Sequence, residues 1–180
     1  MQTESQIKVN QIAKNLGIIL TNAGVQIVRS AYKNFSYISV NFGTIKTNLV
    51  NAGIDCPVSE LDFSYNTTTW EKWEEALALI HIILGKIKWT QNIYDCDDFA
   101  RTKKALMALL FGFTDMAEVY GEIYDKDTGI SQGLHYFNII ITTDNKVYVH
   151  EPITGESVLI SKGFPIIIGG WKYKVISVRF

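Results

Sequence analysis

Apolar positions along this chain recur first at a helical period and then, from about residue 115 onward, at a strand period. Residues 5–20 place Ile7, Ile12, Leu16, Ile19 and Leu20 near helical spacing, and Asn22-Ala23-Gly24 is a stop signal. The pattern from 25 to 50 is mixed. Tyr37, Val40 and Phe42 sit among β-branched and polar residues there, which predicts short strands. Residues 51–68 read as loop, with Asp55-Cys56-Pro57 and Asn66-Thr67-Thr68 as turn chemistry.

The clearest helix follows. Thr68 and Glu71 have the spacing of a capping box, and Trp70, Trp73, Leu77, Ile80, Leu84 and Ile87 then form one apolar face ending near Gly85. Glu71, Glu74 and Glu75 fall where carboxylates complement the helix dipole. A second helix is predicted from about Asp97 to Leu110, with Phe99, Leu106, Met107 and Leu110 on its buried side and Gly112 as its stop. Beyond it come strands over Val119–Tyr124, Leu134–Thr142, Lys146–His150, Val158–Ser161, Pro165–Ile168 and Trp171–Phe180. Helices first and antiparallel strands after is an α+β order. The chain divides at this level into residues 1–65, an extension or sub-domain, and residues 66–180, a catalytic-type domain.

Composition narrows the function classes. The 180 residues suit roughly one domain, and 47% apolar with 19% charged is a globular balance. Seventeen Lys+Arg against eighteen Asp+Glu give a net charge of −1. That excludes nucleic-acid binding driven by bulk charge, and a polybasic membrane anchor. The longest apolar runs, Leu77–Leu84 and Ala105–Phe113, are far below the ~18 residues of a membrane span. The N-terminus shows no secretory pattern, and two cysteines make no disulfide framework, so a cytoplasmic or virion-associated protein is expected.

Candidate chemistry centres on Cys96, placed at the N-cap of the second helix. Unpaired backbone N–H groups and the positive dipole end favour a thiolate there. His135 begins a strand about forty residues on, and Glu151 ends the following strand. Cysteine, histidine and carboxylate in that order suit a nucleophile, its general base and the group that orients the base. The placement depends on the hairpin. If Asp144-Asn145 is a two-residue turn, Glu151 opposes Asn138 and His135 points to the other face. A three-residue loop with a bulge puts His135 and Glu151 on one face, a single cross-strand step apart. His150 should face away from Glu151, and His81 reads as a core or boundary histidine. One carboxylate at ~6 Å from the thiol, at an effective dielectric of ~20, opposes a thiolate by roughly 3 kcal/mol, and Asp95, Asp97 and Asp98 all flank Cys96.

The wording Tyr94-Asp95-Cys96-Asp97-Asp98-Phe99-Ala100, with Leu134-His135-Tyr136-Phe137-Asn138 and His150-Glu151-Pro152, resembles the papain-like, calcium-dependent cysteine protease domain of certain mushroom lectins. It is also similar to bacterial transglutaminase-like cysteine peptidases and to phage and bacterial proteins. The resemblance covers about a third of the chain, Trp89 to Thr154. It implies a papain-like or transglutaminase-like α+β fold, with the nucleophile at the N-terminus of a central helix packed on an antiparallel sheet. It implies an oxyanion role for Trp89, seven residues before Cys96, and makes Gln91 a second donor candidate. It also implies Ca²⁺ beside the nucleophile, with Asp97 and Asp98 as hard oxygen ligands. Glu151 stands where papain-like enzymes normally carry Asn. Asp125-x-Asp127-x-Gly129 reads as a plain turn rather than a calcium loop.

The expected function is a cysteine peptidase or amidase using Cys96, His135 and Glu151 on a peptide or protein substrate, without nucleic acid or membrane partners. The rival is a non-catalytic binding or structural module, such as a virion component, on the same scaffold. A lectin-like binder is disfavoured at this level, because the chain is short for a separate sugar-binding domain.

Overall fold

The computed structural model describes residues 36–180, so the helix expected over 5–20 lies outside the described residues. The elements run β1 (Ile38–Asn41), α1 (Phe42–Asn51), β2 (Val58–Ser59), β3 (Ser64–Thr67), α2 (Trp70–Leu84), α3 (Cys96–Phe111), β4 (Met116–Asp125), β5 (Ser131–Ile141), β6 (Val147–His150), β7 (Ser157–Leu159), β8 (Ile166–Ile168) and β9 (Trp171–Arg179). The principal sheet has the order β2-β9-β4-β5-β6-β7, with β8 also paired to β9. Its pairs are antiparallel except β2–β9. A separate ribbon joins β1 to β3.

This corrects the expected fold class. Strands outnumber helices nine to three among the described residues, and the longest helix has 16 residues. The organising element is the sheet, not a central helix of the papain-like kind. Side chains alternate between its faces. Ala117, Val119, Phe137, Ile139, Ile141, Val147 and Val149 bury on one face with Ile45 and Leu49 of α1. Met116, Ile140 and Tyr148 bury on the other against α2 and α3. The motif around Cys96 reports a helix start. The architecture is set by β4, β5 and β9, whose burial the motif does not encode.

Residues 42–50, expected as short strand, are helical. The Asn41 side chain accepts the Thr44 N–H at 2.9 Å, a local cap, and Ile45 and Leu49 then fall on one buried face. Val58 of β2 pairs with Val178 of β9, and Tyr65 of β3 packs on Phe180, so the described residues before 66 contribute to the same core as those after it. The N-cap of α2 is Thr69, one residue later than the capping box proposed it, because the Thr68 hydroxyl donates to the Ser36 carbonyl instead. Trp73, Leu77, Ile80 and Leu84 are buried as the spacing requires. In α3 the N-cap is Asp95 and Cys96 is the first helical residue; Asp95 and Asp98 form a reciprocal capping box. Gly112 closes the helix at φ 77°, a conformation that favours glycine. No helix among the described residues is long and apolar enough to cross a membrane.

Candidate functional site: a thiol, an imidazole and a buried carboxylate

The β5–β6 hairpin decides the geometry. Ile141 pairs with Val147 and Asn138 with His150, so the loop is odd in length. Asn145 turns it at φ 62°, a left-handed conformation that asparagine tolerates better than most residues. The Asn145 N–H reaches the Thr142 carbonyl at 2.9 Å, and Thr142 N–H reaches Lys146 O at 3.0 Å. This three-residue loop puts odd-numbered β5 positions on the face that Glu151 shares, and His135 Nε2 lies 2.7 Å from Glu151 Oε2. His150, on the opposite face, meets α3.

Glu151 is 3% exposed and fully engaged. Its Oε2 accepts from His135 and from the Tyr173 hydroxyl at 2.9 Å, and its Oε1 accepts the Ile153 N–H at 2.9 Å. The turn that follows is tied back by Glu151 N–H to Glu156 O at 2.8 Å and Gly155 N–H to Glu151 O at 2.9 Å. Gly155 has φ +83°, and a Cβ there would come 2.7 Å from His81 Nδ1. The phenol of Tyr173 is pushed up by burial and by the Glu151 charge, so it remains a donor.

His135 receives Cys96 as its second partner, and with Nε2 committed to Glu151, Nδ1 is the nitrogen left for the thiol. Burial works against charge on the imidazole. The hydrogen bonds and charges of Cys96 and Glu151 outweigh it and raise His135 to about 9. His135 packs on Phe137 at 6.2 Å between ring centres and edge-on to Tyr173 at 6.0 Å. Cross-strand from it is Gly121, where a Cβ would meet Lys174 O at 2.5 Å and Phe137 Cε1 at 2.7 Å. Only glycine lets Phe137 sit beneath the imidazole. Cys96 is partly buried at the start of α3. The set can hold an anionic sulfur beside an imidazolium whose orientation is fixed from behind.

Trp89 and Gln91 lie exposed in the loop between α2 and α3, Trp89 at 51%, and neither is among the residues bonded to His135 or Glu151. Asp97 and Asp98, with Asp95, bring carboxylate oxygens within 4.8 Å of one another. Asp97 is raised by burial and by its acidic neighbours, although Arg101 Nη1 stands 2.6 Å away. Three hard oxygens of like charge suit a divalent cation in type. Two of them are also engaged in capping, with Asn92 N–H on Asp95 and Asp95 N–H on Asp98.

A cleft of about 290 Å³ opens beside this first turn. Arg101 joins the two, binding Asp97 on one side and Glu118 at 3.0 Å on the other, with its guanidinium 5.7 Å from the Tyr136 ring. Tyr120 and Tyr136, cross-strand partners 5.1 Å apart, contribute aromatic surface, and Arg179 and Ser59 stand across from them. Tyr173 and this cleft were not read from the sequence. Each depends on strand pairings between residues far apart in the chain, and no local spacing signals them.

No protein-family model and no curated protein matches the chain. Solved structures do match. One is the PSL1a–E64 complex, at 21% identity and TM-score 0.56, covering 79% of this chain and 51% of that one. Another is Polyporus squamosus lectin bound to the human-type influenza-binding epitope Neu5Aca2-6Galb1-4GlcNAc, at 19% identity and TM-score 0.57, covering 79% and 49%. What is shared is the fold. The chain spans about half the length of these structures. These matches correct the expected membership among papain-like and transglutaminase-like cysteine peptidases: the fold is shared with the PSL1a–E64 complex and with a lectin, and no family model matches. The designation as a thiol protease or other hydrolase gains nothing from them.

Proposed function

We propose that this chain is a binding module whose ligand lies in the cleft between Tyr120, Tyr136 and Arg179, next to the thiol centre. The cleft is the observation that carries this reading. It combines aromatic surface with a guanidinium that is already oriented by two carboxylates, so little order is lost on binding. The fold likeness to a lectin supports binding over turnover. The test is binding to glycan and peptide arrays by the full chain and by Tyr136→Ala. Binding that is lost in Tyr136→Ala, with the melting temperature unchanged, is the expected result. No binding on either array, or equal binding by the variant, contradicts it.

A second reading is favoured by one specific geometry, the His135–Glu151 pair facing Cys96. In it Cys96 takes an acyl group from a peptide or amide. The thiolate attacks the carbonyl carbon, the imidazolium gives its proton to the departing amine, and a thioester remains on sulfur. Water, deprotonated by His135, then releases the acid. Ca²⁺ on Asp97 and Asp98 would offset the negative charge that opposes the thiolate. Intact mass spectrometry after p-nitrophenyl acetate separates the two readings. An acetyl adduct on Cys96 that requires His135 and turns over supports the second, and an unmodified Cys96 leaves the module alone.

A further inference from the structure

Tyr173 is buried in β9, paired with Ile123 of β4 on one side and Ile166 of β8 on the other. Its ring meets Phe137 edge-on at 5.2 Å and His135 at 6.0 Å. These contacts fix where the hydroxyl points. It donates to Glu151 Oε2 at 2.9 Å, and the same oxygen lies 2.7 Å from His135 Nε2.

A carboxylate oxygen offers two lone pairs. On Oε2 one meets the imidazole and the other the phenol. The second oxygen is held by the Ile153 N–H at 2.9 Å, so the carboxylate cannot turn to give each donor an oxygen of its own. Two donors on one oxygen divide its negative charge, and each weakens the bond of the other. The titratable groups facing His135 among the described residues are Cys96 from α3, Glu151 after β6 and Tyr173 from β9, and the Glu156 charge also reaches Tyr173. His150, next to Glu151 in the chain, turns to the other face. There its Nε2 meets the buried Lys103 Nζ at 2.9 Å, apart from this set.

We propose that Tyr173 is a positioning residue of the thiol centre, drawing charge off Glu151 Oε2 so that His135 can give up its proton. This rests on the acyl-transfer reading of Cys96, His135 and Glu151. That reading uses the imidazole in both states, as acid toward the departing amine and as base toward water. An imidazole held too firmly as imidazolium fails as the base. A tyrosine that only braced Glu151 would act in the opposite sense. Its loss would loosen the carboxylate and make His135 easier to deprotonate.

The first arm follows the His135 ring by NMR through a pH titration of the full chain. The wild-type midpoint near 9 is expected to rise by about half a unit in Tyr173→Phe, roughly threefold in proton affinity. A midpoint that falls or stays overturns the proposal. Should Tyr173→Phe fail to fold, 3-fluorotyrosine at position 173 decides. It is a stronger donor and is expected to lower the midpoint; a midpoint that rises or stays overturns the proposal.

The second arm follows by mass spectrometry the acetyl group that p-nitrophenyl acetate leaves on Cys96. No adduct, or one formed equally in His135→Ala, overturns the acyl-transfer reading and the proposal with it. Once sulfur is acylated, Glu151 and Tyr173 are the groups left to set the imidazole. The pH profile of acetyl release is therefore expected to move upward by about half a unit in Tyr173→Phe. A profile that stays in place overturns the role of Tyr173 and leaves the acyl-transfer reading standing.

Discussion

Glu151 holds His135 Nε2 at 2.7 Å through one carboxylate oxygen while the other oxygen accepts the Ile153 N–H at 2.9 Å. The backbone bond fixes the carboxylate, and the carboxylate fixes the ring. Rotation of His135 would break a charge-assisted bond inside a site that is largely closed to water.

That pairing makes stability depend on pH in a stated direction. His135 is raised in the folded chain to about 9 from an ordinary value of 6.5. Its contribution is therefore complete below about pH 6.5 and is lost as pH rises through about 9. Against His135→Gln, wild type is expected to lose up to roughly 3 kcal/mol of its advantage between about pH 6 and pH 9.5. Urea unfolding of both chains at the two pH values measures this. A difference that does not change with pH would contradict the pairing.

Tyr173→Phe removes one donor from a buried carboxylate and leaves shape unchanged. A cost of about 1–3 kcal/mol is expected, the penalty for a buried charged acceptor short of one partner. Thermal unfolding reads the cost, and NMR of the His135 ring reads whether its orientation loosens. A neutral substitution would show that the hydroxyl contributes nothing to Glu151.

Gly121→Ala must displace either the Lys174 carbonyl or the Phe137 ring, which a Cβ would approach to 2.5 and 2.7 Å. Destabilisation of about 1–3 kcal/mol follows from such overpacking. Gly170→Ala meets nothing within 4 Å and is the control, expected within about 0.5 kcal/mol of wild type. Equal melting temperatures for the two variants would contradict the close approach beneath His135.

If the acidic first turn of α3 takes Ca²⁺, millimolar Ca²⁺ should raise the melting temperature and Asp98→Asn should abolish the rise. Binding at a hundred times the dissociation constant corresponds to about 2.7 kcal/mol. A melting temperature indifferent to Ca²⁺ and to chelator would remove Asp97 and Asp98 from consideration as ligands.

The helices α2 and α3 were legible because Trp73, Leu77, Ile80 and Leu84, and then Phe99, Leu106, Met107 and Leu110, repeat at a helical period on one buried face. Helix α1 was hidden by its β-branched and polar composition, and its decisive signal is the Asn41 cap. Both parities of the β5–β6 hairpin were open from sequence, and the left-handed Asn145 selects between them. Cys96, His135 and Glu151 could be named as chemistry-bearing residues, but Tyr173 and Lys103 could not. Their partners are 22 and 47 residues away and are set by sheet register and helix packing. The fold class was misread for the same reason. A seven-residue motif reports where α3 begins, whereas the sheet order, including the parallel β2–β9 pair, is a long-range property.

Whether Cys96 acts with the His135–Glu151 pair separates the two readings of this site, and the alkylation of Cys96 at pH 6 tests it most directly. Peptide mapping after iodoacetamide supplies an internal reference, because burial and Asp55 push the Cys56 thiol up. Cys96 is expected to react at pH 6 at least about tenfold faster than Cys56, and His135→Ala is expected to abolish that excess. Equal reaction of the two cysteines in wild type, or an excess that survives His135→Ala, would contradict the account.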